Sequence, residues 1–195
     1  MRFLGVILSV FLGSFSLCAQ TDPVDKNHSG PFVGGGFSIL RGSTTEGQTG
    51  FGYGGALNLG YVVKRDTWNR FEFGIELGSD RLDLGGKAVD GEVAFNTNFL
   101  AMIKGGYGYS LGGNAFGVWR LGVGLAETQI GDKDGSKGDG FVARLGWDAV
   151  IPMDHAMSFV VGVYAQKTES RFDSASYDDI SLNAIAIHGG VRLGN

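Results

Sequence analysis

The sequence holds a single cysteine, three prolines and no apolar run long enough to cross a bilayer as a helix. The cysteine, Cys18, falls in a segment with the marks of an export signal: Arg2, an apolar stretch from Phe3 to Leu12, and Leu17-Cys18-Ala19 at its end. Cleavage after Ala19 leaves a mature chain with no thiol, which excludes disulfides, thiolate metal sites and cysteine catalysis. A retained membrane helix is disfavoured, because the run falls short of about 20 residues and Gly13, Ser14 and Ser16 interrupt its end. Lipidation at Cys18 is disfavoured by Leu17, which stands where lipoprotein processing takes a small residue. Basic excess is missing too: without Arg2, 15 Lys+Arg face 20 Asp+Glu, so nucleic acid is not expected as a partner. The scarce prolines, Pro23, Pro31 and Pro152, lie outside strands or at their starts, where the missing N–H does no harm.

Glycine, by contrast, is abundant at 35 of 195 residues, against a usual share of about 7%. Without a three-residue period it does not indicate collagen, and 43% hydrophobic residues exclude a disordered linker. Glycine inside strands marks bends and close backbone approaches, which a small closed wall requires. The stretch from Phe51 to Lys64, FGYGGALNLGYVVK, alternates with period two, is long enough to cross a bilayer on a tilt, and carries Tyr53 and Tyr61 near its ends. It reads as one stave of a transmembrane barrel.

Alternation of this kind recurs along the chain. After a flexible periplasmic segment at 20–30 comes a first strand from Pro31 to Leu40, with Val33, Phe37 and Ile39 outward, then a polar loop from Arg41 to Thr49. The turn from Lys64 to Arg70 carries Trp68, and the returning strand alternates Phe71, Phe73, Ile75 and Leu77 with Glu72, Glu76 and Asp80. Beyond Ser79 the apolar phase moves to Leu82 and Leu84, which predicts a bulge there. A fourth strand, Glu92 to Tyr109, sends Val93, Phe95, Phe99, Tyr107 and Tyr109 outward and Asn96, Asn98, Met102 and Lys104 inward. The fifth places Trp119 outside and Arg120 inside; the sixth places Phe141, Leu145 and Trp147 outside and Arg144 and Asp148 inside. A polar loop from Gly131 to Asp139 separates them. The seventh strand alternates Phe159, Val161 and Val163 against Val160, Gly162, Tyr164 and Gln166, and after a loop from Ser170 to Asp179 the eighth turns His188 and Arg192 inward. Tyr53, Tyr61, Trp68, Phe71, Tyr107, Tyr109, Trp119, Phe141, Trp147 and Phe159 are the candidate interface aromatics.

Removing 19 of 195 residues leaves 176, or 22 for each of eight strand-and-connector units, which suits strands of about 11 residues. The expected organisation is thus a signal peptide at 1–19, a periplasmic segment at 20–30, and an all-β, eight-stranded antiparallel up-and-down transmembrane barrel at 31–195. In alternation, loop pattern and length the mature chain resembles the small eight-stranded outer-membrane barrels: outer membrane protein X, the opacity proteins and the barrel half of outer membrane protein A. The resemblance implies residence in the outer membrane as a monomer, contact with its lipid and lipopolysaccharide, and delivery by the barrel assembly machinery. Those families usually end their last strand on an aromatic residue read by that machinery, whereas this chain ends Val191-Arg192-Leu193-Gly194-Asn195. A soluble lipocalin-like barrel is the structural rival, and Gly117-Val118-Trp119 matches its Gly-X-Trp pattern but lies mid-chain.

The inward charges Glu72, Glu76, Asp80 and Asp148 balance Lys104, Arg120, Arg144 and Arg192, with His188 beside them. An eight-stranded barrel is only wide enough for side chains to fill it, so such groups must pair. The expectation is a plugged, salt-bridged core without cofactor or metal, and function carried by surface loops toward a host or cell-surface ligand, or in supporting the envelope. Two alternatives stay open: a small passive pore, and a lipid hydrolase using His155 with Ser158, or His188 with a hydroxyl partner. The stretch from Gly131 to Asp139 spaces Asp132, Asp134 and Ser136 like calcium ligands but has Lys137 and Ala143 where a calcium loop needs Gly and Glu.

Overall fold

The computed structural model describes residues 29–65, 68–85, 93–112, 114–131, 136–153, 156–172 and 179–194. The export signal, residues 20–28 of the expected periplasmic segment, and His155 lie outside them. Eight strands follow in order: β1 (Gly30–Thr44), β2 (Thr49–Lys64), β3 (Asn69–Gly85), β4 (Val93–Gly112), β5 (Ala115–Ile130), β6 (Ser136–Pro152), β7 (Met157–Phe172) and β8 (Ile180–Gly194). Each pairs antiparallel with its chain neighbours, and β8 pairs with β1, closing the barrel.

Register sets the shape. Leu40 faces Ala186, and the partners continue through Tyr164, Gly146, Arg120, Gly106, Glu72 and Val62 to Gly30, so one circuit returns to β1 ten residues below its start. Eight strands with that stagger tilt by roughly 40° and enclose a cylinder of about 8 Å radius, wide enough for side chains and little else. The inside is crowded enough to need glycine: a Cβ on Gly36 would lie 2.6 Å from the Gly189 carbonyl oxygen across the sheet. At the strand ends, Gly47 and Gly112 adopt positive φ of 87° and 102°, which glycine does at no steric cost.

Strands of 15 to 20 residues are longer than the expected 11, and the connectors are correspondingly short. Arg41 to Thr44, Thr49, Ser136 to Asp139 and Ser170 to Phe172 are strand rather than loop, leaving connectors 45–48, 131–135 and 173–179. Lys64, Asn69 and Arg70 likewise belong to strands. One end of the barrel, the terminal end, carries the start of β1, the end of β8 and turns 65–68, 113–114 and 153–156; the other, the loop end, carries 45–48, 86–92, 131–135 and 173–179.

The outer face is an apolar belt. Trp68, Tyr61, Phe71, Tyr107, Tyr109 and Phe159 stand toward the terminal end, Tyr53 and Phe141 toward the loop end, and Trp119 pairs with Trp147 in the wall between. From the tilt, the belt is about 25 Å tall, the height a bilayer covers on such barrels. Above it, toward the loop end, the outward residues turn charged: Arg41, Arg81, Asp83, Glu127, Asp139, Lys167, Glu169 and Arg171 form a collar that continues the wall beyond the apolar zone.

The expected bulge exists, but on the opposite strand. Gly78 faces Leu100 while Asp80 faces Thr97, and on the other side Thr97 faces Thr128 while Phe99 faces Glu127, so the extra residue is in β4 at Asn98. Alternation on β3 runs unbroken, with Leu82 and Leu84 inward on the same face as Asp80. On β4 the facing flips on the N-terminal side of Asn98, toward the loop end. Phe95, expected outside, is therefore buried at 2% exposure, and Asn98, expected inside, is exposed. Asn96 is half-buried and donates to the Gly131 carbonyl.

Candidate functional site in the barrel interior

The interior has two zones. Toward the loop end, Leu40, Leu82, Leu84, Phe95, Ile130, Phe172 and Leu182 pack into an apolar plug. Toward the terminal end the inward positions are charged, and the strand period places them on one face: Glu72 and Glu76 from β3, Lys104 from β4, Arg120 from β5, Arg144 and Asp148 from β6, His188 and Arg192 from β8. Removal from water is tolerable for these groups because each carboxylate meets a cation.

Glu72 is the lower hub. Its carboxylate lies 2.7 Å from Arg192 Nη1, 2.9 Å from Arg120 Nη2 and 3.0 Å from Arg70 Nη2. Arg70 was not among the sequence candidates, because it sits where the turn before β3 was expected. It is 5% exposed and its guanidinium stacks 4.2 Å from the centre of the Phe116 ring. Arg192 lies in the same way 3.8 Å from Phe32. Arg120 also comes to 2.5 Å from Asp148 through Nε, and the second Asp148 oxygen is 2.7 Å from His188 Nε2. Several of these contacts are at charge-pair distance without hydrogen-bond alignment: Arg70 Nε and Nη2 and Arg120 Nε have no aligned acceptor. The Arg70–Glu72 attraction is thus Coulombic.

Glu76 is the upper hub, held by Lys104 Nζ at 2.5 Å and by Arg144 Nη1. Lys104 donates also to Asn58 Oδ1 at 3.1 Å. Arg144 donates through Nε to Gln166 Oε1 at 3.0 Å, stacks 4.0 Å from the Tyr164 ring centre, and reaches Asp80 only at 3.9 Å. Gln166 completes the link by donating to Thr168 at 3.2 Å and, at 3.5 Å, to Asp80.

All nine sequence candidates for the interior network face inward, but the balance differs from the expected zero. Among the described residues the ion-paired cations Arg70, Lys104, Arg120, Arg144 and Arg192 stand against Glu72, Glu76, Asp80 and Asp148, one positive charge in excess within the network, and half-buried Lys64 sets its ammonium 5.9 Å from the Phe116 ring at the terminal end. The signal that could have found Arg70 is its place two positions before Glu72, in phase with the inward face, once β3 is known to start at Asn69. The cavity left among these groups is about 80 Å³, lined in part by Ser38, Tyr164 and His188. His188 faces Ser38 across the β1–β8 ladder, yet its ring is bonded to Asp148 and tilted against Tyr164 at 5.5 Å. Among the described residues no serine hydroxyl is hydrogen-bonded to it, so the nucleophile–base contact a hydrolase needs is not assembled here.

No family model and no curated protein sequence matches the chain. Solved structures do. Neisserial surface protein A is 13% identical, with 86% of this chain and 99% of that one aligned at a TM-score of 0.56. The outer membrane enzyme PagL is 14% identical, with 82% and 99% aligned at 0.52. At such identity the likeness speaks for fold alone, and on it the chain has the architecture of the small eight-stranded outer-membrane barrels.

Proposed function

We propose that this chain is an exported, monomeric, non-enzymatic barrel of the outer membrane, with its termini in the periplasm and its loop end outside. It acts through that outer end on a host or cell-surface ligand, or as a stiff component of the envelope. The observation that carries the reading is the filled interior: an apolar plug stacked on a cross-linked charge network. With the lumen occupied and the belt facing lipid, the chemistry left for recognition is the charged collar and the connectors above it. Contact with lipopolysaccharide and assembly by the barrel machinery belong to the same proposal.

Membrane residence is tested by cell fractionation and by gel mobility in SDS with and without boiling. A folded barrel in the membrane fraction migrates differently when unheated. Identical mobility together with recovery from the soluble periplasm would overturn the reading. The small cavity between the charged groups favours one competing function, a passive pore. Single-channel recording in a planar bilayer separates the two: silence is expected, and stable steps that change on neutralising Lys104 or Arg144 would establish conduction.

A further inference from the structure

On the outer wall the belt is interrupted by a groove of about 660 Å³ between two neighbouring register rows. One row runs Leu121, Leu145, Ala165, Ile185 and Arg41 across β5, β6, β7, β8 and β1; the other runs Ala143, Lys167 and Asn183 beside it. Ala143 and Ala165 are the reason for the depression, since their neighbours in the wall carry Leu and Ile side chains that stand well out. Four inter-strand steps of about 4.8 Å make the groove roughly 19 Å long, enough to take an extended saturated chain of about fourteen carbons with room to spare. It is not level. The stagger that closes the barrel makes each row climb from β5 to β1, so the groove begins beside Leu121 and Leu145 in mid-belt and ends at Arg41 and Lys167, where the belt gives way to the collar.

That gradient selects an occupant. The low end is apolar and lies at acyl-chain depth, while the high end offers two cations at headgroup depth, and among the described residues no carboxylate lines the groove. Glu169 lies 2.6 Å from Lys167 but sits one row higher, and both are more than half exposed, so that pair is weak and yields to a competing anion. Arg41 leans over Phe51 at 5.4 Å, which braces its guanidinium at the rim. We propose that the groove holds one acyl chain of a phosphorylated membrane lipid, whose phosphate is taken by Arg41 and Lys167. The inference rests on the membrane reading above and adds a specific lipid contact to it.

The test is native mass spectrometry of the whole barrel released from detergent, with dimyristoyl phosphatidic acid, dimyristoyl glycerol and inorganic phosphate as probes. The expected result is one retained phosphatidic acid, about tenfold more occupancy than the uncharged glyceride, and no retention of free phosphate. The double variant Arg41→Gln with Lys167→Gln is expected to lose the preference. Ala143→Phe with Ala165→Phe, which fills the groove while keeping the wall apolar, is expected to lose both lipids. Lys137→Gln with Arg171→Gln, off the groove, should bind as the parent does. Each variant is first checked for the unheated, folded band. A folded barrel that holds both lipids equally, or holds phosphatidic acid after the alanines are filled, or pairs with a second copy on this face instead, overturns the groove alone. A chain with no folded species in detergent overturns the membrane reading and the groove with it.

Discussion

Charge removal inside the barrel should have opposite consequences depending on sign. Glu72 has three guanidinium groups within 3.0 Å, and its replacement by Gln leaves Arg70, Arg120 and Arg192 facing one another in a space closed to water. Breaking a buried pair by deleting one partner costs about 3 to 5 kcal/mol, and here the excess of positive charge grows from one to two. Arg70→Met works the other way. It brings the ion-paired network to balance, removes guanidinium nitrogens that lack aligned acceptors, and leaves an unbranched thioether to lie against Phe116. Its effect should therefore fall within about 1 kcal/mol of zero or be stabilising, as replacement of buried ions by packed apolar groups often is. Urea unfolding from lipid vesicles, read by the folded band on unheated gels, measures both. With a slope of at most about 3 kcal/mol per molar urea, Glu72→Gln should lower the midpoint by about 1 M or more. Arg70→Met destabilising the barrel as much as Glu72→Gln does would refute the claim that the interior carries a surplus cation.

Phe95→Ala should cost about 3 to 5 kcal/mol by opening the apolar plug, and clearly more than Phe99→Ala, whose ring is 49% exposed on the outer face; equal unfolding midpoints would contradict the bulge at Asn98. Gly36→Ala forces a methyl against the Gly189 carbonyl and should destabilise by about 1 to 3 kcal/mol, whereas Gly105→Ala meets nothing within 4 Å and should be neutral or better in the same assay. Protease added to intact cells should cut within 86–92 or 173–179 and spare 65–68 and 153–156; the reverse pattern of fragments would invert the orientation.

The barrel itself was legible because period-two alternation survives wherever one face is lipid-bound and the other is filled. That pattern located Glu72, Glu76, Arg120, Arg144 and Asp148 on the inner face. It failed where both faces have similar polarity. From Arg41 to Thr44 and at Ser170 and Arg171 the outward residues are charged or hydroxylic and the inward ones small or hydroxylic, so strand above the belt has the composition of a loop. The bulge was placed at the right height on the wrong strand, since a run of inward leucines on β3 looks the same whether β3 has flipped or the interior has turned apolar. Only pairing with both β3 and β5 assigns the extra residue to Asn98. Arg70 was missed for a related reason: which face it takes depends on where β3 begins, and boundaries are the least determined part of a sequence reading.

The collar has a consequence for recognition. Its charges sit on paired strands of a closed cylinder, so their spacing is set before any partner arrives, at intervals of about 4.8 Å around the wall and about 7 Å along it. Binding there forfeits only side-chain freedom, about 0.5 to 1.5 kcal/mol for each immobilised Lys, Arg or Glu, with no backbone ordering to add. Such a surface behaves as a ruler. On the function proposed above, it would discriminate among ligands by the distance between their charges and favour stiff, repetitive polymers over compliant ones.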